Sequence, residues 1–176
     1  MIIMRDNCTY GRRSIRLKNY DYSKNGLYFI TICTQNRGGI FGEIINGNMI
    51  LNRLGKIVEN EWNDLETKNI NVSKYCLMPN HFHGIIEIKF DVGVIHELPL
   101  RENDMKSRRK MLIPKLIGKF KMLSTKKINI LNNNTGKVWQ RNYYEHIIRD
   151  EEEYARISDY IRNNPRNWKE DRFNCR

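Results

Sequence analysis

Cysteine is scarce in this chain and scattered. Its 176 residues hold four, Cys8, Cys33, Cys76 and Cys175, with no Cys-x-x-Cys pair. That spacing suits neither a zinc ribbon nor a dense disulfide framework. Cys33 and Cys76 fall in apolar runs and read as ordinary core thiols. A reducing, cytoplasmic setting is the expectation. Long hydrophobic runs are missing as well: nothing approaches the roughly 18 apolar residues of a membrane span. The stretch from Met1 to Tyr20 has no uninterrupted apolar core and carries Arg12, Arg13, Arg16 and Lys18, which argues against a secretory signal. Internal repeats and low-complexity tracts are absent, and histidine is rare, with four in the chain.

What remains is ordinary in bulk and unusual in charge. At 40% hydrophobic residues the chain can bury a core, and its length suits one domain over 1–176. The net charge is +11. Between Arg101 and Lys137 eleven Lys and Arg stand against Glu102 and Asp104, a local excess of +9. A positive field this concentrated points to a polyanion partner, with a merely solvated basic surface as the plainer reading.

Periodicity supplies the elements. Gly26 to Thr34 is rich in β-branched and aromatic residues and reads as a buried strand. Asn46-Gly47 marks a tight turn. Leu51 to about Lys68 reads as a helix, with Leu54, Ile57, Val58, Trp62 and Leu65 at helical spacing. Ser73 to Met78 and the run from His81 read as two strands of a hairpin turned at Pro79-Asn80. A basic segment 1–25 precedes these elements, and 91–110 reads as a loop or insertion that includes His96. From Leu112 to about Leu131 the apolar residues recur at i, i+3, i+4 and i+7, with Lys115, Lys119 and Lys126 on another stripe. Pro114 fits only a first helical turn. Val138-Trp139 begins an expected last strand that continues through Tyr143-Tyr144. A final helix starts after Asp150 and stops near Asn163, before Pro165. The order β-α-β-β-α-β-α predicts an α+β fold: a ferredoxin-like β-α-β-β-α-β antiparallel sheet with an additional C-terminal helix.

The most informative run is Met78-Pro79-Asn80-His81-Phe82-His83-Gly84-Ile85-Ile86-Glu87-Ile88. Strand alternation puts His81, His83, Ile85 and Glu87 on one face, with the imidazoles about 7 Å apart. Two neutral imidazoles on one side can serve one divalent metal. The pair starts its strand, where side chains are expected to line a surface rather than a core. On the last helix Tyr154, Ile157 and Ile161 form an apolar stripe, and Tyr160 and Asn164 stack one turn apart beside it. A tyrosine and an asparagine there are more often rim residues than reagents. They would meet the histidines only if that helix packs on the same sheet face.

The segment from Tyr75 to Ile88 resembles the His-hydrophobic-His strand of HUH single-tyrosine nucleases. Val138 to Trp168 is similar to the terminal block of REP-associated tyrosine transposases, relatives of the insertion-sequence-200-like transposases. Leu116 to Asn129 resembles their basic helix. The resemblance spans roughly Arg12 to Trp168, and it rests on the His-x-His strand followed by Tyr160-Ile161-x-x-Asn164-Pro165. It implies His81 and His83 as metal ligands, Tyr160 as nucleophile and Asn164 as the polar residue completing the metal site. The cofactor would be Mg²⁺ or Mn²⁺. Glu145-His146 belongs to the resembling block and reads as structural.

The implied activity is nicking and rejoining of single-stranded DNA beside hairpins or imperfect palindromes, through a covalent 5′-phosphotyrosine. Lys115, Lys119, Lys121, Lys126 and Lys127 would track phosphates. Arg12, Arg13 and Arg16, with Tyr20 and Tyr22, would add hairpin contacts. One nucleophile per protomer implies a homodimer or sequential reuse of the tyrosine. The competing expectation is a non-catalytic hairpin-binding module on the same fold, needing neither Tyr160 nor metal.

Overall fold

A computed structural model describes residues 25–89 and 112–174. Arg12, Arg13, Arg16, Tyr20, Tyr22, His96, Cys8, Cys175 and the expected insertion 91–110 lie outside the described residues. The elements are β1 (Gly26–Cys33), β2 (Gly42–Ile45), β3 (Asn48–Leu51), α1 (Arg53–Asn63), β4 (Ile70–Leu77), β5 (His81–Ile88), α2 (Leu112–Leu131), β6 (Tyr144–Ile148), α3 (Glu151–Asn163) and a 3₁₀ turn (Trp168–Glu170). Four strands form one antiparallel sheet in the order β4-β5-β1-β6. Leaving aside the small β2–β3 hairpin, that places the third core strand between the first and second, as a split β-α-β unit requires. Among the described residues no helix is long and apolar enough to cross a membrane.

β1 is central, and its continuous apolar run reflects burial on both faces. One face, with Tyr28, Ile30, Ile32, Phe82 and Ile86, packs under α1 and α2 through Trp62, Ile113, Ile117 and Phe120. The other, with Phe29, Ile85 and Ile148, packs under α3 through Ile157 and Ile161. Gly84 allows this sheet to be covered closely. A Cβ there would lie 2.5 Å from the Trp62 ring and 2.8 Å from Phe82. Trp62 in turn donates from Nε1 to the Val72 carbonyl at 3.0 Å.

Several expected boundaries shift for identifiable reasons. The first helix starts only after Asn52, whose side chain accepts the Leu54 and Gly55 amides, while Leu51 stays in β3 opposite Gly42. It ends at Asn63 rather than near Lys68. Asn46 and Gly47 both take positive φ, at 50° and 75°, the conformation of a tight hairpin turn. β4 begins at Ile70, ahead of the expected Ser73, and carries a register shift between Asn71 and Lys74. The last strand does not start at Val138-Trp139. Trp139 makes a single bridge to Thr34, and the Lys121 ammonium then gathers the carbonyls of Gln140, Arg141 and Asn142 at 2.9, 3.3 and 3.1 Å. Pairing with β1 resumes at Tyr144, opposite Thr31. α2 and α3 run as their apolar periods predict. Asp150 caps α3 by accepting the Glu153 amide at 2.7 Å.

Candidate active site

Packing of α3 on the sheet face that carries His81 and His83 assembles the site. Ile157 and Ile161 seat the helix on Phe29, Ile85 and Ile148, so the residues beside that stripe face the start of β5. Tyr160 Oη lies 3.2 Å from His83 Nε2. The Phe29 ring stacks on His83 with centroids 5.4 Å apart and meets Tyr160 edge-on at 6.2 Å, holding both rings from below. The two imidazole centroids are 4.6 Å apart. Tyr160 keeps 43% exposure, so the same hydroxyl that touches His83 remains open to a ligand.

The histidines do not line a surface as their place at the strand start suggests. His81 is fully buried and His83 nearly so. The residues after α3 fold back over them: the rings of Phe173 and Trp168 lie 4.6 and 6.0 Å from that of His81. This segment has no apolar period, so the sequence offers no sign of the cover.

The hydrogen-bond network assigns the tautomer of His81. Asn80 Nδ2 donates to the carbonyls of Arg37 at 3.0 Å and Phe173 at 2.6 Å, which turns its Oδ1 toward His81. His81 Nδ1 donates to that oxygen at 2.9 Å, leaving Nε2 with a free lone pair. His83 Nδ1 lies 2.8 Å from Thr31 Oγ1 and its Nε2 3.2 Å from Tyr160 Oη, so each ring nitrogen shares a hydrogen bond with a hydroxyl. Burial first, and the Arg172 guanidinium second, push the His81 pKa down to about 3. His83 is held well below its usual range by burial, by His81 and by Arg172. Both imidazoles are therefore neutral, the form that binds metal. Burial and the nearby Asp171 carboxylate raise the Tyr160 pKa, while Arg172 and Asn164 oppose them.

Asn164 is buried at the end of α3, and its side chain influences both His81 and Tyr160. Its Oδ1 and His81 Nε2 are buried atoms with no hydrogen-bond partner of good geometry among the described residues. Unsatisfied buried acceptors are costly and rare. Two of them beside His83 Nε2 form a donor set of two imidazole nitrogens and an amide oxygen, which fits a divalent cation. Among the described residues no cluster of three His, Cys, Asp or Glu has metal-site spacing, so the fit rests on the asparagine as third ligand.

A cleft of about 680 Å³ opens over this set, lined in part by Tyr144, His146, Arg156, Tyr160, Asn167 and Arg172. His146 is engaged with Glu153 at 2.7 Å. Burial pushes the Glu153 carboxyl up, but bonds from His146 and the Arg149 amide outweigh it and hold the pKa below normal. Thr31, Asn80, Arg156, Asp171 and Arg172 were not legible as site residues. Only Thr31, a polar residue in an apolar strand, and Asn80, beside the first histidine, left any trace in the sequence.

The lysines of α2 are not brought to this cleft. α2 covers the opposite sheet face. Lys115, Lys119 and Lys126 are exposed there, whereas Lys121 is committed to the 140–142 carbonyls and its pKa is lowered to about 8 by burial. Lys127 pairs with the buried Glu61 carboxylate. A separate groove of about 480 Å³ runs between α2 and residues 135–141, lined by Lys126, Lys137, Arg141 and Met122 among others.

No family model matches the chain. An uncharacterized protein of Haemophilus influenzae is 43% identical over 167 residues, covering 92% of each chain. A second Haemophilus influenzae protein, provisionally named a REP-associated tyrosine transposase, is 27% identical over 156 residues, or 85% of this chain and 76% of the relative. The chain is thus similar, at 27% identity, to a protein named for the REP-associated tyrosine transposases. Two solved structures are also similar. One is a REP-associated tyrosine transposase bound to a REP hairpin (18% identity, 91% of this chain and 74% of that one, TM-score 0.45). The other is a provisionally named transposase from Deinococcus radiodurans R1 (14%, 84% and 95%, TM-score 0.44).

Proposed function

We propose that the protein nicks and rejoins single-stranded DNA beside hairpins, with Tyr160 as nucleophile and His81, His83 and Asn164 as ligands of Mg²⁺ or Mn²⁺. The observation that carries this reading is the 3.2 Å contact between Tyr160 Oη and His83 Nε2 at the mouth of the cleft. It brings a half-exposed phenol beside a pair of neutral imidazoles, of which His81 keeps a free Nε2 lone pair because Asn80 engages its Nδ1.

A bound divalent ion would polarise the scissile phosphate and lower the barrier to attack. The chain's residues do the rest. The Tyr160 oxygen attacks phosphorus as its proton leaves, the bond to the 3′ oxygen breaks, and that oxygen takes up a proton as a free 3′-OH. The 5′ end stays on Tyr160 as a phosphotyrosine, and attack by a 3′-OH reverses the step without ATP. Arg156 and Arg172 on the cleft wall suit the phosphate charge. The groove between α2 and 135–141, with exposed Lys115 and Lys119 nearby on the same helix, supports a longer polyanion contact on the far face of the sheet. Two cleavages would use two copies of the chain or one tyrosine in succession.

The test is to incubate hairpin-bearing single-stranded DNA with wild type and with Tyr160→Phe, with and without Mn²⁺, and to look for a covalent protein–DNA adduct. An adduct is expected only for wild type with metal, while both proteins bind the DNA. Binding without any adduct would favour the non-catalytic hairpin-binding module. An adduct that persists in Tyr160→Phe would move the nucleophile to another tyrosine.

A further inference from the structure

We propose that His146 and Arg156 seat a backbone phosphate of the DNA strand next to the one attacked by Tyr160; this deepens the function proposed above and rests on it. Both side chains line the cleft that holds Tyr160. They are also tied to one atom. Glu153 Oε1 accepts from His146 Nε2 at 2.7 Å and from Arg156 Nη2 at 3.3 Å. The other oxygen, Oε2, accepts the Arg149 amide at 3.0 Å, while the Glu153 amide donates to the Asp150 cap of α3. The start of the helix thus fixes the carboxylate, and the carboxylate orients an imidazole and a guanidinium side by side.

What these two groups leave unused points to an anion. The Glu153 carboxylate only accepts, so the imidazole hydrogen sits on Nε2. His146 is 33% exposed, and its Nδ1 has no hydrogen-bond partner among the described residues. Arg156 is 52% exposed and commits one terminal nitrogen to Glu153. A bond made only to tie β6 to α3 would need neither the open ring nitrogen nor the exposed guanidinium. A phosphate oxygen against Nδ1 completes a carboxylate–imidazolium–phosphate bridge, in which each ring nitrogen donates to an anion. The guanidinium supplies a second charge-assisted bond. Position fits a neighbouring phosphate. Arg156 precedes Tyr160 by four residues on one face of α3, about 6 Å along the helix axis. That step is of the size that separates adjacent phosphates on one strand. Arg172 marks the other end, beside the Tyr160 phenol. Tyr144, half-buried on β6 two residues before His146, lines the same cleft. Its pKa is raised by burial, lowered by Arg172 and raised by Glu153, which puts it within reach of both ends. An aromatic ring between two cationic stations is the pattern of a single-strand track.

The test reads the coupling between each residue and one phosphate. Tyr160→Phe protein, which leaves the strand uncut, is titrated with a hairpin-bearing single-stranded DNA on which wild type forms the adduct. Each phosphate within a few nucleotides of the cleaved bond is replaced in turn by a neutral methylphosphonate. One replacement beside the cleaved bond is expected to weaken binding about 10-fold or more. That effect should shrink several-fold once His146→Gln or Arg156→Gln is added. Arg156→Gln changes an exposed side chain, so it decides the matter should His146→Gln fail to fold. A methylphosphonate profile that is the same with and without these two residues would overturn the subsite, while wild-type adducts leave the proposed function standing. Coupling through Arg156 alone would refute the part given to His146. Wild type that forms no adduct on any hairpin DNA sinks that function and the subsite with it.

Discussion

Replacing Asn80 with alanine tests the network that prepares the imidazoles. Asn80 is 3% exposed and makes three side-chain hydrogen bonds: to the Arg37 carbonyl, to the Phe173 carbonyl, and from His81 Nδ1. Each is worth about 1 kcal/mol net, and a buried partner left unsatisfied costs about 1–3 kcal/mol. Truncation removes all three and strands the His81 N–H and the Phe173 carbonyl. A loss of about 3–5 kcal/mol follows, a large share of the roughly 5–15 kcal/mol that holds a domain together. It also frees His81 to rotate or change tautomer, which for comparable supporting bonds weakens metal binding about 10- to 100-fold. Asn80→Asp retains an acceptor toward His81 but loses both donors. It should therefore cost stability while sparing much of the Mn²⁺ affinity. The assay is urea unfolding of the metal-free chain, with Mn²⁺ titrated against each variant that folds. The reasoning is refuted if Asn80→Ala unfolds within 1 kcal/mol of wild type, or if the aspartate variant loses metal as severely as the alanine one.

Other consequences are open to measurement. Tyr160→Phe removes a half-exposed hydroxyl bonded to His83, so it should cost no more than about 1 kcal/mol; a large drop in melting temperature would make the adduct assay uninterpretable as chemistry. The depressed pKa of His81 carries a sign. Below pH 6.5 the unfolded chain takes up a proton that folded His81 refuses until about pH 3. Stability present above pH 6.5 should therefore fall as pH drops toward 3, by up to about 1.4 kcal/mol per pH unit. His83 adds in the same direction, and a flat profile of metal-free urea unfolding from pH 7 to 4 would contradict this. Gly84→Ala places a Cβ 2.5 Å from Trp62, so overpacking should cost about 1–3 kcal/mol, read as a lower melting temperature and a shifted Trp62 fluorescence. If about five phosphates are neutralised, log affinity for single-stranded DNA should fall with log salt at a slope near −3.5, and Lys119→Ala with Lys126→Ala should flatten it by about 1.4.

Much of the fold was written in local pattern. The period of α2, the Asp150 cap of α3, the Asn46-Gly47 turn and the alternation of β5 are each set by residues close in the chain, and each formed as expected. Strand and helix periods put His81 with His83 and Tyr160 with Asn164 on shared faces, while Tyr160 and Asn164 became candidates through the resemblance of their segment to REP-associated tyrosine transposases. That the two faces meet was not legible, since docking of α3 depends on Phe29, Ile85 and Ile148 from three separate strands. Nor did anything local reveal that Lys121 would bend the chain away from β1 at residues 140–142, delaying the last strand to Tyr144.

The sequence alone determined which side chains share a face, because backbone geometry repeats every two residues in a strand and about every 3.6 in a helix. Tertiary structure decided which faces touch and what is shut away from water. It put Tyr160 against His83, sent the α2 lysines to the other side of the sheet, and drew Trp168 to Phe173 over His81. Those outcomes follow from burying apolar surface between segments distant in sequence, and no local period encodes them.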